Sequence, residues 1–137
     1  MSIVSDVRSA VATKLQTLLP DERIHEEWVP TVERQDMAQR DIYVNAETRE
    51  TTLIARGCKQ TKITIIVGVM EPFEQGYESS AAEACSELID TVIDGMLAQK
   101  VGNAVCTEAK QPLLISPEHW RDYRQFTGLV ALTMVVS

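Results

Sequence analysis

The stretch Phe126-Thr-Gly-Leu-Val-Ala-Leu-Thr-Met-Val-Val-Ser137 decides the fold of this chain. It is rich in valine, leucine and threonine, which favour β-strands. A chain end usually frays unless it is tied into the structure, so a strand here must be held by neighbouring strands. The sequence therefore predicts a sheet that is completed by these last residues.

Further strands are predicted upstream from alternating or continuous apolar patterns. Those before the second predicted helix are residues 23–28, 41–46, 52–56 and 62–70, and those after it are residues 104–107, 113–115 and 125–136. Turns are predicted at residues 47–51 and 57–60, so residues 52–56 and 62–70 are expected to be antiparallel neighbours. Residues 30–40 and 71–78 are expected to form mobile loops that order on docking.

Two amphipathic helices are predicted from apolar residues spaced by three and four. The first has Ser2 or Ser5 as its cap and the apolar residues Ile3, Val4, Val7, Val11, Leu15, Leu18 and Leu19. The second begins at Ser79 or Ser80, with Glu83 completing a capping box, and ends near Gly102-Asn103. Its apolar stripe comprises Ala81, Cys85, Leu88, Ile89, Val92, Ile93, Met96 and Leu97.

The order of these elements predicts an α+β fold in one domain over residues 1–137. A mostly antiparallel sheet carries the two main helices packed on one face. Residues 116–123 are expected to be an irregular connection before the final strand.

Composition excludes several classes of protein. The net charge is −7, from 13 Lys+Arg against 20 Asp+Glu, which opposes tight binding to nucleic acid. No apolar run approaches the roughly 20 residues that span a bilayer. The first residues do not resemble a secretory signal, so we expect the protein to be made and used in the cytoplasm. Cys58, Cys85 and Cys106 lack the spacing of a disulfide framework or a zinc site and are expected to be inert packing residues.

The sequence offers little for catalysis. Its histidines, His25 and His119, match no zinc-protease pattern, and Glu118 and His119 would point to opposite faces of an extended segment. There is no nucleophile elbow and no glycine-rich phosphate loop. Asp90 and Asp94 lie one helical turn apart, where solvated carboxylates are commoner than a cation site. We therefore expect no catalytic residue, no cofactor and no metal; an enzyme would need the fold to bring His25 and His119 together.

Charged and aromatic residues are the better candidates for binding. Arg49, Arg56, Lys59 and Lys62 cluster around the central hairpin. They could contact an acidic partner, or they could only discourage edge-to-edge aggregation of the sheet. The aromatic candidates for interface anchors are Trp28, Trp120, Tyr123 and Phe126.

The predicted elements follow one another in a characteristic order. They are a leading amphipathic helix, Asp41-Ile-Tyr-Val-Asn-Ala-Glu-Thr, Lys62-Ile-Thr-Ile-Ile-Val, a long second helix and the closing strand after Asp122-Tyr-Arg-Gln. This order resembles that of the tail terminator proteins of long-tailed phages, of the lambda U-protein type. The resemblance covers nearly the whole chain. It implies a structural virion protein of the tail or neck, assembled in the host cytoplasm, that forms a ring with copies of itself, usually a hexamer.

Such a ring would cap the tail tube protein, end its polymerisation and offer a surface to the head-tail connector protein. DNA would pass through the lumen without specific binding, and carboxylates lining the channel would keep it from adhering. No membrane and no cofactor are implied. We expect Arg49, Arg56, Lys59 and Glu74 at protein contacts, and open sheet edges as one physical route to a ring.

Three alternatives remain open. The chain could be another head-tail joining or neck protein, or a small ligand-binding α+β module with an enclosed apolar pocket. The third alternative is an enzyme.

Overall fold

The computed structural model of the chain describes residues 2–26 and 39–136. The elements in chain order are α1 (Ile3–Leu18), β1 (Ile24–Glu26), β2 (Asp41–Ala55), β3 (Cys58–Pro72), α2 (Glu78–Met96), β4 (Lys100–Val101), β5 (Ala104–Leu113), α3 (Pro117–Tyr123) and β6 (Gln125–Val136). The described strands form one sheet in the order β1-β2-β3-β6-β5-β4. Among the described strands only β1 and β2 are parallel neighbours, so the predicted α+β fold with a mostly antiparallel sheet is confirmed.

The final strand lies in the middle of this sheet. β6 pairs with β3 from Thr61↔Val136 to Pro72↔Gln125, and its other side pairs with β5. Its residues are held by ladders on both sides, which confirms the prediction made from its composition.

The apolar core lies on one face of the sheet, under α1 and α2. Alternate residues of the central strands point to this face, as the pleat of a strand requires. Phe126 is fully buried there, at 0% exposure. The core members contributed by the two main helices are Val7, Val11, Ala12, Leu15, Cys85, Leu88, Ile89, Val92 and Met96.

The two helices begin differently. The Ser2 hydroxyl accepts a hydrogen bond from the Ser5 amide at 3.1 Å, as predicted for α1. The capping box predicted for α2 is wrong, because that helix begins at Glu78 after Tyr77, which has no side-chain cap. The Glu78 carboxylate instead accepts a hydrogen bond from the Gly76 amide, at 3.0 Å.

The predicted turn at residues 47–51 is wrong. β2 continues through this segment to Ala55, with an irregularity in its pairing between Ala46 and Thr48. The real turn is the two-residue Arg56-Gly57 connection, shorter than predicted, where Gly57 has a φ of +78°. Such a turn requires positive φ and therefore favours glycine.

The second half of the chain also differs from expectation in three places. α2 ends at Met96, and Gly102-Asn103 is the turn between β4 and β5. Residues 104–107 and 113 belong to one bulged strand, β5. Residues 117–123 form a helix, α3, because Ser116 caps it by accepting from the His119 amide and a proline occupies its first turn.

Candidate functional site

Three of the four predicted contact residues lie on one β-hairpin, which projects from the sheet. β2 and β3 continue beyond the end of β6, whose last pair is Thr61↔Val136, so residues 52–60 form a two-stranded arm outside the sheet. Arg56 and Lys59 belong to this arm, and Arg49 lies at its base, opposite Ile63. All three are exposed, and within residues 2–26 and 39–136 no carboxylate forms an ion pair with them.

The arm also exposes apolar side chains at its tip. Leu53 is 66% exposed and Ile54 is 58% exposed. At the base, the Thr51 and Thr61 hydroxyls lie 3.1 Å apart and form a hydrogen bond between the strands. The arm is therefore an ordered hairpin that presents leucine, isoleucine and cations together.

Glu74 lies at the other end of the molecule. It follows Pro72, the last residue of β3, whereas the arm contains the first residues of β3, which precede those paired with β6. A strand of this length spans about 45 Å at roughly 3.3 Å per residue. The structure therefore brings Arg49, Arg56 and Lys59 together but separates them from Glu74.

Glu74 lines an open groove between the end of β3 and the start of α2. The groove has a volume of about 420 Å³, and its apolar lining residues are Pro72, Phe73, Tyr77, Ala81 and Ala84. Adjacent surface on α2 adds Glu83 and Glu87 beside Ser80 and Ala84. We call the groove and this adjacent surface together the acidic groove. Next to it, the backbone N–H groups of Glu78 and Gly76 lower the pKa of the Glu78 carboxyl.

A partly buried ion network includes Glu71, which also lines the groove. Arg40 forms ion pairs with Glu22 and, at 3.4 Å, with Glu71, and the bond to Glu22 raises the pKa of the guanidinium. The Cys85 thiol donates to Glu71 at 3.2 Å. Burial, reinforced by this carboxylate, raises the pKa of the Cys85 thiol, so the thiol stays neutral and unreactive.

The sheet face turned away from α1 and α2 carries a second concavity. This cleft has a volume of about 430 Å³ and is lined by polar residues including Tyr43, Asn45, His119 and Thr127 and by apolar residues including Ile66 and Leu129. It is half open to solvent, unlike the enclosed pocket expected for a ligand-binding module.

Each histidine has its own structural partners. His25 Nε2 lies 2.9 Å from Asp41, which also receives two hydrogen bonds from Arg23 at 2.6 Å, and its ring stacks on Tyr43. His119 lies on α3, not on an extended segment as predicted, and its Nδ1 is 2.7 Å from the Thr127 hydroxyl.

Thr127 is buried and also accepts from Gln125. A buried hydroxyl that is already engaged in two hydrogen bonds is poorly placed to act as a nucleophile.

The remaining candidates divide between core and surface. The prediction of Phe126 as an anchor is wrong, because it is buried in the core. Trp120 packs on Phe73, with ring centroids 4.7 Å apart, and Tyr123 is partly exposed. Trp28 and most of residues 30–40 lie outside the described residues. Cys58 is exposed on the arm, so it is not the packing residue that was predicted, whereas Cys85 and Cys106 are buried as expected.

Asp90 and Asp94 are exposed on α2. Among the described residues, no three His, Cys, Asp or Glu side chains are grouped so that they could hold a metal ion. None of the helices in that part of the chain is long and apolar enough to cross a membrane.

The acidic groove was missed from the sequence because it joins two segments that meet only in space. One signal was available, however. α2 contains Glu78, Glu83, Glu87, Asp90 and Asp94 but no lysine or arginine. A helix with carboxylates alone on its exposed side indicates a surface of one sign.

Comparison with solved structures shows a shared fold over the whole chain. It matches the sheath/tube terminator structure of an extracellular contractile injection system, PVC, in the extended state. The TM-score is 0.53 at 13% sequence identity, and the match covers 100% of this chain and 57% of that one. This chain thus spans little more than half the length of the neighbour. No protein-family model matches the sequence, and no curated protein is similar to it.

Proposed function

We propose that this protein is a tail terminator subunit, a structural virion protein that forms a ring on the tail tube and ends its polymerisation. The observation that carries the proposal is the fold shared, along the whole chain, with a sheath/tube terminator. The element order that resembled phage tail terminators in the sequence supports the same role. In this role the protein acts by fitting its neighbours, without catalysis.

The sheet supports ring formation because its outer strands are only partly covered. β1 pairs with Ile42, Tyr43 and Val44 of β2, and β4 pairs with Ala104 and Val105 of β5. The Cys106 backbone also bonds to Ala98 and Gln99, but within the described residues the rest of the outer sides of β2 and β5 pairs with no other strand. Unpaired backbone groups can be consumed when copies associate around a closed ring.

The ring, a hexamer in the proposed form, would join the tail to the head-tail connector and let DNA pass through its lumen. The acidic charge of the chain would keep DNA from adhering to the channel wall. The protein would assemble in the host cytoplasm and remain in the tail or neck of the virion. Another head-tail joining role is the nearest alternative and differs in whether tube length is controlled.

The proposal is tested by light scattering of the purified protein over a wide range of concentrations, with and without tubes polymerised from the tail-tube protein of the same genome. We expect a ring in solution, or a monomer that forms a ring at tube ends and stops their growth. A ring that leaves tube length unchanged would indicate another neck protein. A protein that stays monomeric with tubes at every concentration would contradict the proposal.

A small-molecule-binding module is the second candidate, and among the described residues its support is the cleft of about 430 Å³, which is less enclosed than such a function requires. That function predicts a monomer or dimer whose melting temperature rises with a ligand. Replacing His119, which lines the cleft, would then abolish the shift, and the protein would not bind tubes.

A further inference from the structure

We infer that the arm of one copy docks in the acidic groove of the next copy, so that this contact links the subunits of the ring. The inference rests on the proposed ring and names its interface. Each surface is an incomplete half: the arm has cations around an apolar tip, and the groove has carboxylates around an apolar lining.

The apolar parts match in kind. Leu53 and Ile54 are large aliphatic side chains held in solvent at the arm tip. The groove offers Phe73, Tyr77 and Ala84 as an open apolar surface, with Tyr77 63% exposed. Bringing the two surfaces together would remove both from water, which is the main favourable term in most associations.

The charges are complementary around this contact. Arg56 and Lys59 flank the arm tip, and Glu74, Glu83 and Glu87 flank the groove. Opposite charges at an interface fix its register and speed its formation, and like charges there disfavour it. The cations and these carboxylates form no ion pairs with one another within the described residues, so their charges are not already consumed inside one subunit.

The arm must come from another copy. The arm and the groove lie at opposite ends of β3, about 45 Å apart along the strand, and β3 is fixed between β2 and β6. The contact is therefore between different patches on two identical chains. A contact of that kind gives either a closed ring or an open filament, depending on the rotation between neighbours.

The test uses two variants with reversed charge. The arm variant carries Arg56→Glu and Lys59→Glu, and the groove variant carries Glu74→Lys and Glu83→Lys. All four positions are exposed, so both variants are expected to retain the native circular dichroism and melting temperature. Each variant alone places like charges across the contact, and its self-association should weaken about a hundredfold.

A mixture of the two variants in equal amounts should restore the assembly. The reversed arm of one variant fits the reversed groove of the other, and the two unaltered surfaces fit each other, so an even-numbered ring can alternate them. Two matched controls carry the same charge changes outside the contact: Lys14→Glu with Arg121→Glu, on α1 and α3, and Asp90→Lys with Asp94→Lys on the same helix as Glu83. Both controls should assemble like the natural protein.

The outcomes separate this inference from the proposed function. Variants that assemble normally, or a mixture that does not restore assembly, would overturn the arm-to-groove contact. The proposed function would still be supported in that case if the natural protein forms a ring. Variants that keep their ring but lose tube binding would assign the arm to the tube protein and also overturn the inference. If the natural protein assembles only on tubes, the same comparison is made there, by sedimentation of protein with tubes. No assembly of the natural protein under any condition would contradict both.

Discussion

The two halves of the β2–β3 hairpin have the same backbone ladder but very different surroundings. Near the body, Ile42 and Val44 face Val69 and Val67 in the register, and all four side chains are fully buried. Beyond the end of β6, the same strands form the arm, whose side chains are exposed. A two-stranded hairpin is marginal in water, so burial, not pairing, stabilises the body half. The arm contributes surface for contact instead.

The largest expected change in stability comes from making the same substitution in each half of the hairpin. Ile65→Ala removes a side chain that is fully buried between β2 and β6, and it should lower the free energy of unfolding by about 2–5 kcal/mol. Ile54→Ala removes the same atoms from the exposed arm and should cost less than about 0.5 kcal/mol. Urea unfolding of dilute protein measures both. Equal losses would show that the arm is buried in the isolated subunit.

The next test compares charges. Asp41→Asn in the body weakens the contacts that a nearly buried carboxylate makes with Arg23 and His25. It should lower the free energy of unfolding by about 1–3 kcal/mol, and not by more, because Arg23 is half exposed to solvent. Glu50→Gln at the arm base changes an exposed carboxylate opposite Lys62 and should cost less than about 0.5 kcal/mol. The same urea titration measures both changes. An unchanged free energy of unfolding for Asp41→Asn would show that the ion pair does not stabilise the body.

A smaller effect is expected from pH. Burial raises the pKa of the Cys85 thiol above its ordinary value of 9.0. The stability linked to it is fully present below that value and is lost as the pH rises, because the thiol of the unfolded chain ionises first. Between pH 8 and 10 the natural protein should lose about 1 kcal/mol more than Cys85→Ala does. Parallel curves for the natural protein and Cys85→Ala would refute the assignment.

The smallest global effect should come from the arm turn. Gly57→Ala puts a side chain at a φ of +78°, which costs roughly 1–2 kcal/mol locally. Hydrogen exchange should accelerate in residues 52–60, while the urea midpoint should change little. Gly128→Ala is the matched control in β6, where a Cβ would lie 3.1 Å from Ile89 and from the Leu114 carbonyl oxygen, so the midpoint should fall. A large fall with Gly57→Ala would mean that the arm and the body unfold together.

The same contrast explains what could be predicted from the sequence. α1, β6 and the body half of β3 were predicted because one buried face imposes a regular apolar period on each of them. The turn predicted at Glu47-Thr-Arg-Glu-Thr51 is wrong because an exposed strand needs no apolar side, and its residues therefore show no alternating pattern. The local signals Ser116 and Pro117 marked the start of α3 and could have identified it.

The candidate site was only half predictable. The cations of the arm are close in sequence, so Arg49, Arg56 and Lys59 could be grouped before the fold was known. The groove combines the end of β3 with the start of α2, and its shape depends on how these elements pack. Glu74 is predicted as a contact from the sequence, but nothing local indicates that it lies at the opposite end of β3 from the arm.

The central position of β6 also has a consequence for the order of folding. β3 pairs with residues roughly 50 to 75 positions later in the chain, and long-range pairing of this kind slows folding to milliseconds or longer. The β2–β3 hairpin is local and can form in microseconds. We therefore expect the β2–β3 hairpin to form and open rapidly until the body closes around β6, and refolding rates to respond to changes in β6 and not to changes in the arm.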